Sequence, residues 1–232
     1  MTSNSPKKRM SDTAYEGMRS AIIRAELLPG TPIDERSCME MLDVGRTPLR
    51  EALQRLSQED LVLAVPQRGY FVSSTSASDF FHLQEFRLHS EIMAVRTAAI
   101  RMSVVQLRTL AGLIEEARQG VAEQRSEIDW HLGIDERMHG IIAEASGNPY
   151  LAQALRRLYA LSVRSLYVSR LPVTLIFDEL SNFDAIYAAL EARDPDRAEA
   201  AMRQHLTVAS VQLVTRPSVA PAPVAPDSEA NA

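Results

Sequence analysis

Cysteine is nearly missing: Cys38 is the only one in 232 residues. No intrachain disulfide can form, and a cysteine-rich zinc site is excluded. Unpaired cysteines are commonly small buried apolar residues, and Cys38 is read that way, with a reactive sensor thiol as the alternative. No apolar run approaches the roughly 18 residues a spanning helix needs. Residues 1–9 are polar and basic with no apolar stretch behind them, so no secretory leader is expected and the chain is expected to be cytoplasmic. A basic excess is missing too: 25 Lys and Arg stand against 30 Asp and Glu, a net charge of −5. Taken alone this argues against a nucleic-acid partner. Its distribution changes that, because residues 1–75 hold ten basic and ten acidic side chains and the whole deficit falls in residues 76–232. Phosphates respond to the local field, and a neutral N-terminal part can still present a basic face.

What is present separates into three stretches. Residues 11–75 mix short helical patterns with one hairpin pattern, residues 77–215 read as nearly continuous amphipathic helix, and residues 216–232 are Pro/Ala-rich and read as a disordered tail. In the first stretch a helix is expected over Tyr15 to Glu26, ended by Leu28-Pro29-Gly30. Asp34 can cap a second helix through Leu42. Asp43-Val44-Gly45 makes a tight turn, and a third helix follows, with Thr47 as its expected cap, Pro48 at the first helical position and Leu49, Ala52, Leu53 and Leu56 as its buried stripe. Two strands, 61–65 and 70–73, surround Pro66-Gln67-Arg68-Gly69. Two short helices across a three-residue turn make a helix-turn-helix, and the hairpin makes a wing. In the second stretch about six helices are expected, at 77–101, 103–124, 126–146, 148–170, 173–193 and 195–215. Their short connections imply antiparallel neighbours. The fold class is therefore mainly α: an N-terminal winged helix-turn-helix plus a C-terminal antiparallel all-helical bundle.

Candidate DNA-contacting residues follow from this frame. Arg46, Thr47 and Arg50 lie at the N-terminal end of the third helix, the end that enters the major groove in a helix-turn-helix. Arginine can bind guanine O6 and N7 with two hydrogen bonds. Arg46 and Arg50 are one turn apart and face outward while Leu49 and Leu53 face the core. Gln54 continues that side and suits adenine. Arg36 on the preceding helix and Arg68 at the wing tip are placed to meet phosphates or a minor groove. Gly69 lets the wing backbone approach DNA closely.

The run Gly45-Arg46-Thr47-Pro48-Leu49-Arg50-Glu51-Ala52-Leu53, with Leu28-Pro29-Gly30 upstream and Arg68-Gly69-Tyr70-Phe71-Val72 downstream, resembles the GntR family of bacterial regulators in its FadR-like branch. The resemblance implies DNA contacts for Arg36, Arg46 and Arg50 and a wing position for Gly69. The chain departs from the family pattern twice. Asp43 stands where the family usually has glycine, which strains the turn unless the aspartate takes the left-handed region. Gly45 stands where the family has Ser or Thr, removing a phosphate-contacting hydroxyl.

The second stretch looks like the family's helical ligand-binding domain, FCD. Arg87 with Glu91, Asp135-Glu136-Arg137-Met138-His139, Glu144 to Pro149, and Met202-Arg203-Gln204-His205-Leu206 carry the likeness. Many such domains hold a divalent metal with one Asp and three His. By resemblance, Asp135, His139 and His205 match three of these ligands, while Phe183 stands in the place of the fourth. The i, i+4 spacing of Asp135 and His139 puts carboxylate and imidazole on one helix face. Three readings stay open: one divalent metal (Zn, Ni or Mn) on three protein ligands, with His131 as a conceivable substitute ligand; an organic effector bound without metal; or no functional pocket, the histidines being buried hydrogen-bonding residues. Arg87 is a candidate for binding an effector carboxylate, since it offers two parallel donors. An ion pair with Glu91 is the alternative, and both can hold. His82, His89, Trp130 and Tyr159 attract no role.

The expected function is a DNA-binding regulator, usually a repressor. It should be homodimeric on a palindromic double-stranded operator and controlled by a small organic acid, with no membrane partner. No catalytic residues are assigned. The alternatives are a metal-dependent enzyme with a DNA-targeting module, for which no general base is evident, and a ligand-independent DNA binder.

Overall fold

Three helices and a hairpin form the N-terminal part: α1 (Met10–Ile23), α2 (Glu35–Leu42), α3 (Arg46–Gln58), β1 (Val62–Val65) and β2 (Gly69–Val72). The computed structural model describes residues 9–74, 77–125, 127–169 and 183–214, with side chains described except at 77, 78, 169 and 207–214. The tail expected at 216–232 and the beginning of the helix expected at 173–193 lie outside the described residues.

Helix α1 starts earlier and stops earlier than the expected 15–26. Ala14 and Met18 are fully buried against the apolar stripe of α3, and Arg55 Nη1 holds Asp12 Oδ1 at 2.8 Å, so the first turn has partners that the local pattern does not reveal. Ala25, at φ 56°, closes the helix before Glu26. Asp34 caps α2 as expected, accepting from Arg36 N at 3.0 Å. Asp43 takes the left-handed region, φ 50° and ψ 49°, so the turn closes without its glycine. The cap of α3 differs from expectation. Helix α3 begins at Arg46, with Gly45 in extended backbone before it and no side-chain cap. Thr47 and Pro48 are therefore already inside the first turn, where a proline still gives up no intrahelical bond.

The hairpin is antiparallel, with Val62 opposite Val72 and Val65 opposite Gly69. Gly69 adopts φ +89°, which a side chain would strain. On its other edge β2 is held by residues 30–33: Gly30 N donates to Val72 O and Ile33 N donates to Tyr70 O. Met18, Ile22, Leu49, Leu53, Leu56, Leu61 and Val72 close one core beneath these elements.

The bundle is built from α4 (Ala77–Arg101), α5 (Val104–Ala122), α6 (Ile128–Ala145), α7 (Pro149–Ser169), α8 (Phe183–Glu191) and α9 (Pro195–Val214). Its turns have local causes. Ser103 and Gln106 form a capping box at α5. Asn148 accepts from Tyr150 N and Leu151 N ahead of Pro149, and Asp194 does the same for α9 ahead of Pro195. Val95, Leu110, Ile134, Met138, Ile142, Phe183, Ile186 and Met202 belong to the bundle core. Among the described residues no helix is long and apolar enough to cross a membrane.

The two parts touch. Ile23 of α1 packs on Leu132, Tyr159 and Val163 of α6 and α7, and Leu161 of α7 packs on the N-terminal core. Ion pairs join Arg19 to Glu136 (3.4 Å), Arg24 to Asp129 (3.2 Å) and Arg157 to Asp60.

Candidate functional site

The outward face of α3 is polar because its other face is spent on the core: Leu49, Ala52, Leu53 and Leu56 are fully buried, while Arg46, Thr47, Arg50 and Gln54 are exposed. Arg46, Arg50 and Gln54 follow one another at one-turn intervals and so share a side of the helix. Arg46 has no partner among the described residues. Arg50 is engaged by Glu35 of α2, Nε to Oε2 at 2.9 Å and Nη2 to Oε1 at 3.2 Å, a two-bond clamp. That contact raises the Arg50 pKa and ties α2 to α3. Arg36 holds Glu40 at 3.1 Å. Arg68 is exposed at the hairpin tip, 5.8 Å from the Phe71 ring centre, beside exposed Gly69. Helix start, preceding helix and wing thus present the expected residues outward, with two of the arginines occupied by carboxylates that phosphate or a guanine edge could replace.

The second constellation is buried in the bundle. Asp135 and His139 come from α6 and His205 from α9. His139 Nε2 lies 3.2 Å from His205 Nε2, and Asp135 Oδ1 lies 3.6 Å and 3.5 Å from those two nitrogens. Ligand atoms sharing a metal at about 2.1 Å stand roughly 3 to 3.5 Å apart, so this triangle has the dimensions of a metal face. His139 Nδ1 lies 2.9 Å from Glu91 Oε1, and Glu91 is fully buried. The contact is close but off the line of an Nδ1–H bond, His139 Nδ1 having no hydrogen-bond partner among the described residues; a carboxylate behind the ring favours a proton on Nδ1 and an Nε2 lone pair facing the other two donors. His205 Nδ1 is buried without a hydrogen-bond partner among the described residues. On donor type and spacing the residues fit a divalent cation with three protein ligands.

Two neighbours qualify the fit. Phe183 supplies no donor: it is buried, with its ring centre 5.1 Å from that of His205. Arg87 of α4 brings Nη2 within 3.3 Å of His139 Nε2 while Nε keeps Glu91 at 3.4 Å. Both roles expected for Arg87, the ion pair and the orientation toward the pocket, therefore coexist. His131 does not join the cluster; its Nε2 donates to Arg125 O at 2.9 Å.

The charges in this pocket act on one another. Burial alone would push the Asp135 carboxyl up, but His139, His205 and Arg87 outweigh it and hold it well below the usual range. Glu91 is likewise lowered, burial being overcome by His139 and Arg87. Burial pushes the His205 imidazole down, against the pull of Asp135.

Two roles in the cluster escaped the sequence reading, those of Tyr159 and of Glu91 behind His139, and the buried Arg164 of α7 went unread as well. Tyr159 lies with its ring centre 5.7 Å from that of His139 and 5.1 Å from the Arg87 guanidinium, and its hydroxyl donates to Leu132 O at 2.9 Å. Burial pushes its phenol well up. Glu91 backs His139 as well as pairing with Arg87. Arg164 is buried, 1% exposed, with Nε and Nη1 lacking partners among the described residues; burial lowers its pKa. Position in α7 was the only available signal for Tyr159 and Arg164, and it does not separate a pocket wall from ordinary core.

Comparison with known proteins places both halves. Residues 10–72 match the model for bacterial regulatory proteins of the gntR family, and residues 82–208 match the FCD domain. The HTH-type transcriptional repressor GlaR of Escherichia coli K12 is 31% identical over 203 residues, covering 83% of this chain and 90% of that protein. The repressor RspR of the same organism is 27% identical over 209 residues, covering 88% and 89%. The repressor NanR of Cronobacter sakazakii is 28% identical, covering 86% and 84%. Among solved structures, E. coli McbR/YncC superposes with a TM-score of 0.78 at 19% identity, covering 89% of this chain and 98% of that one.

Proposed function

This chain belongs to the GntR family of bacterial regulatory proteins and carries its FCD domain, which makes it a DNA-binding transcription regulator and not an enzyme; from that premise we propose that it is a repressor that grips a palindromic operator as a homodimer and releases it when a small organic acid enters the bundle. Repression is supported by the names of its relatives GlaR, RspR and NanR. DNA contact is assigned to Arg36, Arg46, Thr47, Arg50, Gln54, Arg68 and Gly69.

The observation that carries effector control is the double attachment of α6. One side of this helix supplies Asp135 and His139 to the buried cluster. Glu136, next in sequence to Asp135, and Asp129, near the start of the helix, ion-pair with Arg19 and Arg24 of α1. A ligand that rearranges the cluster therefore acts on a helix already fastened to the DNA-binding part. Control still requires that the ligand bind the DNA-competent and DNA-incompetent states with different affinity.

Arg87 would meet an effector carboxylate with its paired donors. Asp135, His139 and His205 would hold a divalent metal, Zn, Ni or Mn. When bound, the metal supplies a fixed positive charge with open positions for carboxylate oxygens. A metal-free reading is favoured by a separate observation, the approach of Arg87 to the same Nε2 that a metal needs, beside an apolar Phe183.

The test is operator binding, selected from a pool of genomic fragments and followed by anisotropy over a salt series, with metal-stripped and metal-loaded protein and a panel of small organic acids. Sequence-specific, salt-dependent binding that an acid weakens supports the proposal. Binding unaffected by every acid leaves a ligand-independent binder, and an acid effect requiring no metal selects the metal-free form.

A further inference from the structure

A cleft of about 790 Å³ runs between the DNA-binding part and the bundle, walled by α1 and α3 on one side and by α6 and α7 on the other. That is the size of a small-molecule site, and such sites favour the junctions between domains. Its inner wall is apolar: Ile23 of α1 packs there on Leu132, Tyr159 and Val163. Gly133 of α6 lines the cleft as well. A Cβ at this position would meet no atom within 4 Å, so no packing contact asks for a glycine. Glycine in mid-helix is destabilising relative to alanine. What the missing side chain leaves is room.

The charges around the cleft are unevenly spent. Its carboxylates are engaged. The Tyr15 hydroxyl donates to Glu59 at 2.6 Å, the Tyr167 hydroxyl to Asp129 at 2.5 Å, and Arg19 reaches Glu136 at 3.4 Å; Glu16 is engaged too. Arg19, Arg24, Arg55 and Arg157 each hold a carboxylate. Arg156 makes no hydrogen bond among the described residues. The Glu144 carboxylate lies 3.9 Å from it, beyond hydrogen-bond length, and its side chain is 58% exposed. The charge left over at the cleft is therefore positive. Arg156 also stands one turn from Ala160 and two from Val163, on the side of α7 that lines the cleft.

We infer that this cleft is a second ligand site, adjoining the buried cluster but separate from it, and that its ligand is a small aromatic acid. The ring lies over Gly133 against Leu132, Tyr159 and Val163, and the carboxylate meets Arg156. A tyrosine ring and aliphatic side chains suit an aromatic body, and a guanidinium offers a carboxylate paired donors. A ligand so placed touches α1 as well as α6 and α7. It binds the docked arrangement of the two parts and not a parted one, the difference in affinity that a controlling ligand requires. Tyr159 belongs to both sites: it lines the cleft, and its ring centre is 5.1 Å from the Arg87 guanidinium and 5.7 Å from that of His139.

Calorimetry of the full chain with 2-naphthoate tests it, alongside circular dichroism to verify folding. Wild type should bind, and hexanoate, an acid without a ring, should bind less tightly. Gly133→Leu places a better helix former in α6 and a side chain in the cleft; it should fold and should abolish binding. Arg156→Ala should weaken binding about tenfold through loss of one charge-assisted hydrogen bond. His205→Ala separates the cleft from the bundle. No heat from 2-naphthoate with wild type overturns the inference, as does equal affinity in Gly133→Leu. Binding lost in His205→Ala but kept in Gly133→Leu also overturns it, by moving the acid into the bundle. A protein that loses 2-naphthoate on Gly133→Leu yet recognises no operator would leave this site standing and remove the proposed function.

Discussion

Arg19 Nη2 of α1 lies 3.4 Å from Glu136 Oε1 of α6, and the residue preceding Glu136 is Asp135, whose carboxylate faces His139 and His205. Two neighbouring carboxylates on one helix thus serve the DNA-binding part and the buried cluster. The outer pair is partly exposed, so it should contribute no more than about 1 kcal/mol to stability. Glu136→Gln is expected to leave the melting temperature nearly unchanged. The ratio of operator affinities without and with effector should move toward one, out of a typical coupling of about 1–3 kcal/mol. Paired melting and anisotropy measurements check this; an unchanged ratio would remove the pair from the coupling.

Arg50 and Glu35 make opposite predictions. Arg50→Ala should cost about 1–3 kcal/mol of operator affinity and relax the preference at one base pair. Glu35→Gln, which frees Arg50 and removes a negative charge beside the groove-facing helix, should tighten binding. Arg68→Ala should weaken binding to all sequences alike and lower the salt slope by about one. Competition binding at several salt concentrations separates the three.

Arg87 and a divalent cation compete for the one lone pair of His139 Nε2. Like charges about 4 Å apart repel by several kcal/mol at an effective dielectric of about 20. Arg87→Gln should therefore raise metal affinity at least about tenfold, read by calorimetry with zinc and nickel. Equal affinities in both proteins would show that the guanidinium leaves the site at no cost. His205→Ala should abolish the binding in either background.

Burial pushes the imidazole of His131 below its ordinary value of 6.5, against the opposing pull of its bond to Arg125 O. The folded state therefore binds this proton more weakly than the unfolded chain does. Its stabilising contribution is full above about pH 6.5 and is lost as pH falls through the lower folded value. Thermal melts of His131→Gln should be flatter than wild type over that window. A wild-type profile that is already flat there would contradict the assignment.

Arg164 is a buried cation whose Nε and Nη1 make no hydrogen bond among the described residues. Leaving such groups unsatisfied costs about 1–3 kcal/mol or more. Arg164→Met, of similar length and without the charge, should raise the melting temperature by about 2 °C or more, since 1 kcal/mol corresponds to about 2–4 °C at this chain length. A lower melting temperature would indicate that the guanidinium is compensated.

The legible parts of this molecule are those whose causes are local. The α3 stripe, the Asp34 cap, the Gly-bearing hairpin and the turns before Pro149 and Pro195 follow from a few adjacent residues. Thr47 misled because threonine is a good cap and proline favours the first helical position, yet the extended backbone of Gly45 starts the helix two residues earlier. The start of α1 was missed because Asp12 is held by Arg55, 43 positions away. The cluster was legible as three residue types by resemblance. Tyr159, the backing of His139 by Glu91, and the approach of Arg87 to His139 depend on where α4, α6 and α7 meet, and no spacing within one helix encodes that meeting.

Helix α6 is a stiff rod loaded at two azimuths. Side-chain tips ride about 5–6 Å from a helix axis, so a roll of only 10° or so would sweep each tip through about 1 Å. That is comparable to the margin between a formed hydrogen bond and a broken one. Asp135 and Glu136 project about 100° apart around the same axis, and neither can be displaced by such a roll while the other stays still. On the proposed mechanism the linkage needs no hinge and no unfolding: a turning moment applied at the buried histidines would be delivered, within the rigidity of a few helical turns, to the arginines of α1.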